Sequence, residues 1–234
     1  MTAPLLPPFW VVIPAAGIGS RMRADRPKQY LRLGDRTILE HTLDCFLDHP
    51  QLRALVVCLA EQDPYWPDLK CARDDRIHRA AGGDERADSV LAGLLALSGL
   101  GAHDSDWVLV HDAARPNLAL EDLNQLLGSL ADDPVGGLLA VPARDTLKRA
   151  GADGRVQETV DRSVIWQAFT PQMFRLGSLR EALADALVSG VAVTDEASAL
   201  EWAGQHPRLV EGRADNLKIT RPEDLLWLEQ RWKS

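Results

Sequence analysis

Residues 10–28 contain a short apolar run, two glycines and two cations, which together could bind a polyphosphate. The run WVVI at residues 10–13 has the pattern of a buried strand and passes at once into small residues. Gly17 and Gly19 would leave their backbone N–H groups uncovered for phosphate oxygens. The two glycines can also adopt a positive φ. Because Arg21 and Lys28 add two positive charges, this segment predicts a phosphate site at the end of the first strand.

Two common phosphate-binding motifs do not fit this segment. A dinucleotide-binding loop needs a third small residue at the position where Met22 stands. A P-loop needs Gly-Lys followed by Ser or Thr, and no such triplet occurs in the chain. The remaining structural alternative is a strand-to-helix turn whose glycines serve geometry and whose cations are solvated.

A second polar turn follows the short strand predicted at residues 77–80. It has the sequence GGDERADSV at residues 82–90 and leads into an apolar helix. Turns that follow a strand lie at the carboxyl edge of a sheet, where open α/β folds bind their ligands. The alternative is that Asp88 or Ser89 only caps the helix.

The strand predicted at residues 107–110 ends close to a carboxylate, Asp112. One carboxylate combined with phosphate oxygens and waters is a common way to hold Mg²⁺, so Asp112 is a candidate metal ligand. It could instead only fix the turn or pair with Arg115. We interpret His111 as structural, because no second His or Cys stands at the spacing of a metal site.

The elements that would position these residues alternate between strands and helices. Apolar spacing predicts helices at residues 37–47, 91–97 and 120–130, and buried strands at residues 52–59 and 137–141. This alternation indicates an α/β fold whose parallel strands are joined by right-handed crossovers.

The C-terminal part of the chain continues with helices and one more short strand. A helix is predicted at residues 195–203, and Thr194 has the residue type and place of its N-cap. Lys218 stands just before a last helix, whose start has the capping-box residues Thr220 and Glu223. An anion would be attracted to such a helix start, so Lys218 is a further candidate for phosphate binding.

Residues 144–160 interrupt the alternation of strands and helices. They have little apolar content and place the turn GADG at residues 151–154 between two polar strands, the pattern of a β-hairpin. A two-stranded hairpin cannot bury enough surface to be stable alone in water. We therefore expect the hairpin to lie on another surface, and a second copy of this chain is the simplest partner.

Composition limits the classes of function. The 234-residue chain carries a net charge of −8, which argues against binding to nucleic acid or to anionic membranes. No stretch has the pattern of a secretory signal or of a membrane span, so we expect a cytosolic protein. The cysteines Cys45, Cys58 and Cys71 lack the spacing of a metal site, and we expect free thiols.

Taken together, these segments resemble the 2-C-methyl-D-erythritol 4-phosphate cytidylyltransferases of the non-mevalonate isoprenoid pathway. The likeness extends from Pro14 through Asp224, which is nearly the whole chain. The most specific matching segments are residues 14–22, 27–30, 82–90, 110–116, 145–146, 159–162, 170–172, 194–200 and 210–218. Several separated motifs in the same order are far more specific than any one of them.

The resemblance implies a single nucleotidyltransferase domain over residues 1–234, with a Rossmann-like, mostly parallel central sheet. It also implies an arm at residues 142–170 that joins a homodimer. In the family's reaction, the phosphate of 2-C-methyl-D-erythritol 4-phosphate attacks the α-phosphorus of CTP and releases pyrophosphate. Mg²⁺ or another divalent cation is the implied cofactor.

The resemblance further implies roles for individual residues. Those expected to cradle and read the CTP are Ala15, Ala16, Gly17, Gly19, Gly83, Asp84 and Ser89. Arg21 and Lys28 would face the α-phosphate and the departing pyrophosphate, and Asp112 would hold the metal. Lys218, with Arg162 reaching over from the other subunit's arm, would place the attacking phosphate. Residues implied near the acceptor are Arg115, Thr170 and Thr194.

The chemistry agrees with that set of residues. Nucleotidyl transfer needs positioning and cations more than covalent help. The attacking phosphate is largely ionised near neutral pH, because its second pKa is about 6. No general base is required, which is consistent with the lack of a convincing Ser-His-Asp or Cys-His arrangement.

Two other functions remain open at this point. One is a cytidylyltransferase acting on another polyol phosphate, such as ribitol 5-phosphate. The other is a non-catalytic nucleotide-binding module, which would be expected to have lost the charged residues. All five charged residues of the implied site are present, namely Arg21, Lys28, Asp112, Arg162 and Lys218.

Overall fold

The computed structural model describes residues 6–17 and 25–232. Its strands are β1 (Phe9–Pro14), β2 (Arg32–Leu33), β3 (Arg36–Thr37), β4 (Leu52–Leu59), β5 (Ile77–Ala81), β6 (Trp107–Val110), β7 (Gly136–Pro142), β8 (Leu147–Ala150), β9 (Val156–Val160), β10 (Trp166–Arg175) and β11 (Arg208–Glu211). Its α-helices are α1 (Ile38–Leu47), α2 (Arg86–Gly99), α3 (Leu120–Leu130), α4 (Leu176–Val188), α5 (Glu196–Trp202) and α6 (Pro222–Trp232).

A seven-stranded sheet in the order β11-β7-β10-β6-β1-β4-β5 forms the centre of the fold. β1 pairs in parallel with β4 and β6, β4 with β5, and β7 with β11. β10 alone runs antiparallel to its neighbours β6 and β7. The predicted mostly parallel α/β sheet is therefore confirmed, as are the strands expected at residues 52–59, 77–80, 107–110 and 137–141.

The central strands are buried on both faces. In β1, Val11 and Ile13 belong to the apolar cluster that contains the inner faces of α1 and α3. Val12 points to the opposite cluster, formed with α2, α4 and α5. Because helices cover both faces of the sheet, its strands appear in the sequence as continuous apolar runs rather than alternating ones.

Helix α2 packs unusually close to the sheet. A Cβ atom at Gly93 would clash with Val12 and would lie 2.9 Å from the sulfur of Cys58. Burial raises the pKa of Cys58 to about 12, so this thiol stays protonated. Cys45 and Cys71 are also free thiols, as expected.

Two helix starts differ from the sequence predictions. α2 begins at Arg86, several residues before the apolar stretch, because Asp88 accepts a hydrogen bond from the Glu85 amide at 2.9 Å. The assignment of Thr194 as the N-cap of α5 was wrong. Asp195 caps that helix, and its carboxylate accepts from the Ser198 amide at 2.9 Å.

The start of α6 also uses a different carboxylate from the one expected. Asp224, rather than Glu223, accepts hydrogen bonds from the Thr220 amide at 2.8 Å and from the Arg221 amide at 2.9 Å. Further along α6, Leu228 is fully buried against Ile219 and Ala114. This contact fastens α6 to the segments that follow β11 and β6.

The predicted hairpin is confirmed as a separate two-stranded sheet formed by β8 and β9. Its surface is largely exposed, and the exposed fraction of Val156 is 63%. Beyond the hairpin, Val164 is 74% exposed before the chain re-enters the central sheet as β10. None of the helices in the described residues is long and apolar enough to cross a membrane.

Candidate active site

A cavity of about 310 Å³ lies where β1 and β6 end. Its walls come from the segment after β1, the turn before α2, the segment after β6 and the loop before α6. The residues predicted for the site that line it are Ala15, Ala16, Gly17, Lys28, Gly83, Asp84, Ser89, Asp112 and Lys218. We refer to it as the first cavity.

A second cavity, of about 200 Å³, shares three lining residues with the first: Arg86, Asp112 and Lys218. The residues predicted near the acceptor line this second cavity, namely Arg115, Thr170 and Thr194. The shared residues therefore lie where the two cavities meet. An anion in one cavity and an anion in the other would both be close to the same carboxylate and the same cations.

Three of the predicted residues do not join this group in the described structure. Gly19 and Arg21 lie outside the described residues. Arg162 is exposed and lines neither cavity of its own chain. Its guanidinium donates to the carbonyl of Arg144.

The wall after β1 is held by a buried glutamine that the sequence reasoning did not assign. Nε2 of Gln29 donates to the carbonyl of Ala15 at 2.6 Å and to the carbonyl of Gly17 at 3.2 Å. Gly17 does not use the positive φ that a glycine permits, and a Cβ atom there would meet nothing within 4 Å among the described residues. The signal for Gln29 in the sequence is only its place beside Lys28.

The wall before α2 needs glycine for reasons of space. A Cβ atom at Gly82 would clash with Ala16 and lie 2.9 Å from Oγ of Ser89, and one at Gly83 would clash with Asp88. Oγ of Ser89 accepts from the Gly83 amide at 3.1 Å and donates to the carbonyl of Glu85 at 3.2 Å. The turn and the segment after β1 therefore approach each other closely.

Asp112 is the centre of the charged groups. It is 7% exposed, and its Oδ1 accepts from Nε of Arg86 at 3.2 Å. Its Oδ2 accepts from Nε of Arg115 at 3.2 Å and from Nζ of Lys218 at 2.9 Å. Burial acts to raise the pKa of Asp112, but these three cations hold it well below its usual range. Asp112 is therefore ionised throughout the physiological range of pH.

The backbone of Asp112 is fixed by Thr170 and His111. Oγ1 of Thr170 accepts from the Asp112 amide at 3.0 Å and lies 3.0 Å from Nδ1 of His111. Nε2 of His111 lies 3.0 Å from the carbonyl of Arg115, which can only accept, so Nε2 carries the proton and Nδ1 accepts from Thr170. Burial lowers the pKa of His111 to about 4, so the ring is neutral near pH 7. This is consistent with the structural interpretation of His111.

The loop between β11 and α6 brings Lys218 to Asp112. Nδ2 of the buried Asn216 donates to the carbonyl of Thr170 at 2.9 Å, and Arg115 donates to the carbonyl of Asn216 at 2.7 Å. Nζ of Lys28 donates to the carbonyl of Ile219 at 3.1 Å. These contacts connect the loop to both cavities.

A buried carboxylate on α5 was also missed by the sequence reasoning. Glu196 is 1% exposed and receives both terminal nitrogens of Arg86, at 2.5 Å and 3.1 Å. Burial acts to lower the pKa of Arg86, but the carboxylates of Glu196 and Asp112 raise it. Positions 86 and 196 are far apart in the chain, and no local pattern indicates that they pair.

The charged side chains of the two cavities are balanced in number, unlike those of the whole chain, whose net charge is −8. The lining includes four cations and four carboxylates, namely Lys28, Arg86, Arg115, Lys218, Asp84, Glu85, Asp112 and Asp195. Three of the cations converge on Asp112. Both cavities therefore offer cations to a phosphate group in spite of the negative net charge of the chain.

Comparison with known proteins identifies the family of this chain. The sequence matches the model of the family 2-C-methyl-D-erythritol 4-phosphate cytidylyltransferase over residues 9–231. A relative of that name from Pseudomonas entomophila strain L48 is 75% identical over 228 residues, covering 97% of this chain and 97% of the relative. Another of that name, from Pseudomonas aeruginosa strain UCBPP-PA14, is 74% identical over 230 residues and covers 98% of each chain.

Solved structures show the same likeness. A crystal structure of a 4-diphosphocytidyl-2C-methyl-D-erythritol synthase has a TM-score of 0.82 at 39% identity, covering 96% of this chain and 98% of that one. The Francisella tularensis 2-C-methyl-D-erythritol 4-phosphate cytidylyltransferase has a TM-score of 0.81 at 37% identity, covering 97% of this chain and 100% of that one. From its sequence and its fold alike, the chain belongs to the 2-C-methyl-D-erythritol 4-phosphate cytidylyltransferase family.

Proposed function

We propose that this chain joins CTP and 2-C-methyl-D-erythritol 4-phosphate to give 4-diphosphocytidyl-2-C-methyl-D-erythritol and pyrophosphate, a step in isoprenoid precursor biosynthesis. The observation that carries the proposal is the meeting of Lys28, Asp112 and Lys218 around one cavity at the carboxyl edge of the sheet. These residues come from three distant parts of a chain that matches the family over residues 9–231.

The first cavity is assigned to the nucleotide. Its walls at Ala15 to Gly17 and at Gly83 are formed by small residues, so a bound triphosphate can come close to the backbone there. Lys28 lines this cavity and supplies positive charge to the α-phosphate and to the departing pyrophosphate. Gly19 and Arg21 lie outside the described residues. From the sequence, Gly19 is assigned to the triphosphate cradle, and Arg21 is assigned with Lys28 to the α-phosphate and the pyrophosphate.

The second cavity is assigned to the acceptor. Arg115 and Lys218 provide cations there, and Thr194 lines it. The phosphate oxygen of the acceptor forms a bond to the α-phosphorus of CTP, and the bond from that phosphorus to the pyrophosphate oxygen breaks. Negative charge grows on the departing pyrophosphate, and fixed cations stabilise it.

A divalent cation fits the residues present. Among residues 6–17 and 25–232, no three His, Cys, Asp or Glu side chains gather to form a cage of protein ligands. Asp112 offers one ionised carboxylate at the cavity, and Mg²⁺ is commonly held by one or two carboxylates, phosphate oxygens and waters. When bound, the ion would neutralise charge on the triphosphate. Arg86, Arg115 and Lys218 would hold the Asp112 carboxylate in place beside it.

A homodimer would bring Arg162 to an acceptor. In its own chain Arg162 lines neither cavity, and the nearby Val156 and Val164 expose apolar side chains. A hairpin of this size is marginally stable unless another surface covers it. A second copy that covers the hairpin would receive Arg162 at its own acceptor cavity.

The test is an assay of pyrophosphate release with CTP and Mg²⁺. Activity is compared between 2-C-methyl-D-erythritol 4-phosphate and ribitol 5-phosphate, and then between CTP and the other nucleoside triphosphates. We expect the methylerythritol phosphate to be used with CTP, and mass spectrometry to detect the cytidine diphosphate product. Lys28→Ala protein purified in the same way controls for contaminating enzymes. Pyrophosphate release with ribitol 5-phosphate but not with 2-C-methyl-D-erythritol 4-phosphate would overturn the proposal. A lack of pyrophosphate release with both acceptors would overturn it as well.

A further inference from the structure

Glu196 is a buried carboxylate that the reaction described above does not use. It is the first residue of α5, its side chain is 1% exposed, and both terminal nitrogens of Arg86 donate to it. Burying a carboxylate is costly unless it is paired with a cation. Even a paired buried carboxylate is often no more stabilising than apolar side chains of the same volume, so stability alone does not explain why this pair is present.

Arg86 occupies the place where the two cavities meet. It is the first residue of α2, directly after the turn assigned to the nucleotide, and it lines both cavities. Glu196 follows Thr194 and Asp195, which line only the cavity assigned to the acceptor. The ion pair therefore joins the wall of one cavity to the wall of the other.

Glu196 fixes the orientation of the Arg86 guanidinium. Each terminal nitrogen donates one hydrogen bond to Glu196, and in that orientation Nε donates to Oδ1 of Asp112 at 3.2 Å. Without the carboxylate, the terminal nitrogens could turn to Asp112 or to a bound phosphate in several geometries. A guanidinium held at both ends has one geometry, and groups held in place before the reaction stabilise its transition state best.

We propose that Glu196 is a positioning residue for nucleotidyl transfer: it holds the Arg86 guanidinium, and through it Asp112, in one orientation between the two bound substrates. This inference rests on the proposed function. The competing explanation is that the pair only holds α2 against α5. The two explanations differ in whether loss of the Glu196 charge lowers kcat in protein that remains folded, and the Arg86 fork tests whether that loss acts through Arg86.

The experiment is a double-mutant cycle with Glu196→Gln and Arg86→Lys. Glu196→Gln keeps the shape of the side chain and removes its charge. Arg86→Lys keeps a cation beside both carboxylates and removes the fork that Glu196 holds. Glu40→Gln is the matched control, because Glu40 is a buried glutamate near the start of α1 that lines neither cavity. Melting temperature and circular dichroism verify the fold of every variant.

We expect Glu196→Gln to lower kcat by about 10- to 100-fold, the usual cost of losing a partner that orients a functional group. The Kd for CTP, measured by calorimetry without acceptor, should stay within about threefold of wild type, because the effect is on the reacting geometry. In the Arg86→Lys background, Glu196→Gln should lower kcat by less than about threefold, since the fork that Glu196 holds is already absent.

Three results would overturn the inference. Kinetics of Glu196→Gln equal to those of Glu40→Gln would make the pair merely structural. An equal loss in both backgrounds would show that Glu196 does not act through Arg86. A weakening of CTP binding as large as the loss in kcat/KM would assign Glu196 to nucleotide binding instead. If Glu196→Gln does not fold, Glu196→Asp, whose shorter side chain cannot keep both contacts, takes its place with the same criteria.

The wild-type assay keeps this inference separable from the proposed function. If wild-type protein forms the cytidine diphosphate product, the proposed function stands whatever the variants do. If it does not, the proposed function fails before any variant is measured.

Discussion

The place where the two cavities meet and the arm formed by the β8–β9 hairpin and the turn after it both contain cations, but they hold them in opposite ways. Around Asp112, the cations Arg86, Arg115 and Lys218 come from three separate segments and converge on one buried carboxylate. In the hairpin, Arg149 pairs with Glu158 across two strands at 3.1 Å, with both side chains more than half exposed. Arg162, just beyond the hairpin, is exposed as well.

The two regions differ in whether a single chain is enough to fix the positions of their cations. Burial and opposing charges give the cations around Asp112 defined positions within a single chain. The hairpin gives Arg162 no such environment, so Arg162 becomes useful only if another surface supplies one. We infer that the first region is built for chemistry and the second for attachment, and the following predictions test that contrast.

The largest expected effect is on stability, from Arg86→Gln. This change leaves Glu196 buried without its cation, and breaking a buried pair by removing one partner costs about 3–5 kcal/mol. Urea unfolding should show a loss of that size in the free energy of unfolding. The double variant Arg86→Gln, Glu196→Gln should recover part of it, because no buried charge is then left unpaired. A double variant less stable than Arg86→Gln would contradict this explanation.

Removal of the amine of Lys28 should chiefly affect the rate. We expect Lys28→Ala to lower kcat by roughly 10²–10³, the usual loss for one group that stabilises transition-state charge. Steady-state rates at saturating CTP and acceptor measure it. Lys70→Ala, at an exposed lysine that lines neither cavity, is the control and should have wild-type activity. Near-normal kcat in Lys28→Ala would remove Lys28 from the reaction.

Arg162→Ala should weaken the binding of the acceptor rather than the binding of CTP. A hydrogen bond to a charged group contributes about 1.5–3 kcal/mol, so the KM for the acceptor should rise by about 10- to 100-fold. Mixing Arg162→Ala with Lys218→Ala subunits should restore about a quarter of wild-type activity, because half of the dimers contain one intact site of two. No recovery after mass spectrometry has verified subunit exchange would mean that each site is complete within one chain.

The pH dependence of kcat/KM for the acceptor should follow protonation of the acceptor phosphate and not of Asp112 or His111. Asp112 has a pKa well below its usual range and His111 has a pKa of about 4, so neither changes charge between pH 5 and 8. As the pH falls, the acceptor phosphate gains its second proton, and kcat/KM for the acceptor should drop about tenfold per unit below about pH 6. Rates at low acceptor concentration measure this. A profile that stays flat to pH 5 would contradict it.

The smallest effect is expected in the hairpin. A double-mutant cycle of Arg149→Ala and Glu158→Ala should give a coupling energy of about 0.2–1 kcal/mol, as for other exposed pairs, and it should fall further at high salt. Urea unfolding at low and high salt measures it. A coupling above about 2 kcal/mol, which is typical of desolvated charges, would show that another surface buries this pair.

Much of the fold could be predicted because its signals are local. The apolar runs of β4 and β6 lie at the residues where the sequence predicts strands, and the polar hairpin forms around its glycine turn. The site segments could also be predicted, since small or polar residues follow strands that end at one edge of the sheet. Lys28, Asp112 and Lys218 were each identified without knowledge of their neighbours.

The errors arose where two neighbouring residues satisfy the same local rule. Thr194 and Asp195 are both good N-caps, and the side chain of Gln172 on β10 selects Asp195 by donating to its carboxylate at 2.8 Å. Gln172 also accepts from the Ala197 amide at 2.8 Å. No pattern around residue 194 contains that information, because it comes from a strand more than 20 residues away.

Residue order alone determined the alternating strands and helices, the family and most of the residues that surround the two cavities. Only the tertiary structure decided that Gln29 holds the segment after β1 and that Glu196 holds Arg86 beside Asp112. The physical reason is that periodicity and turn chemistry act over a few neighbouring residues. A buried charge, in contrast, must find its partner wherever folding places one, and that position is set by the packing of the whole chain.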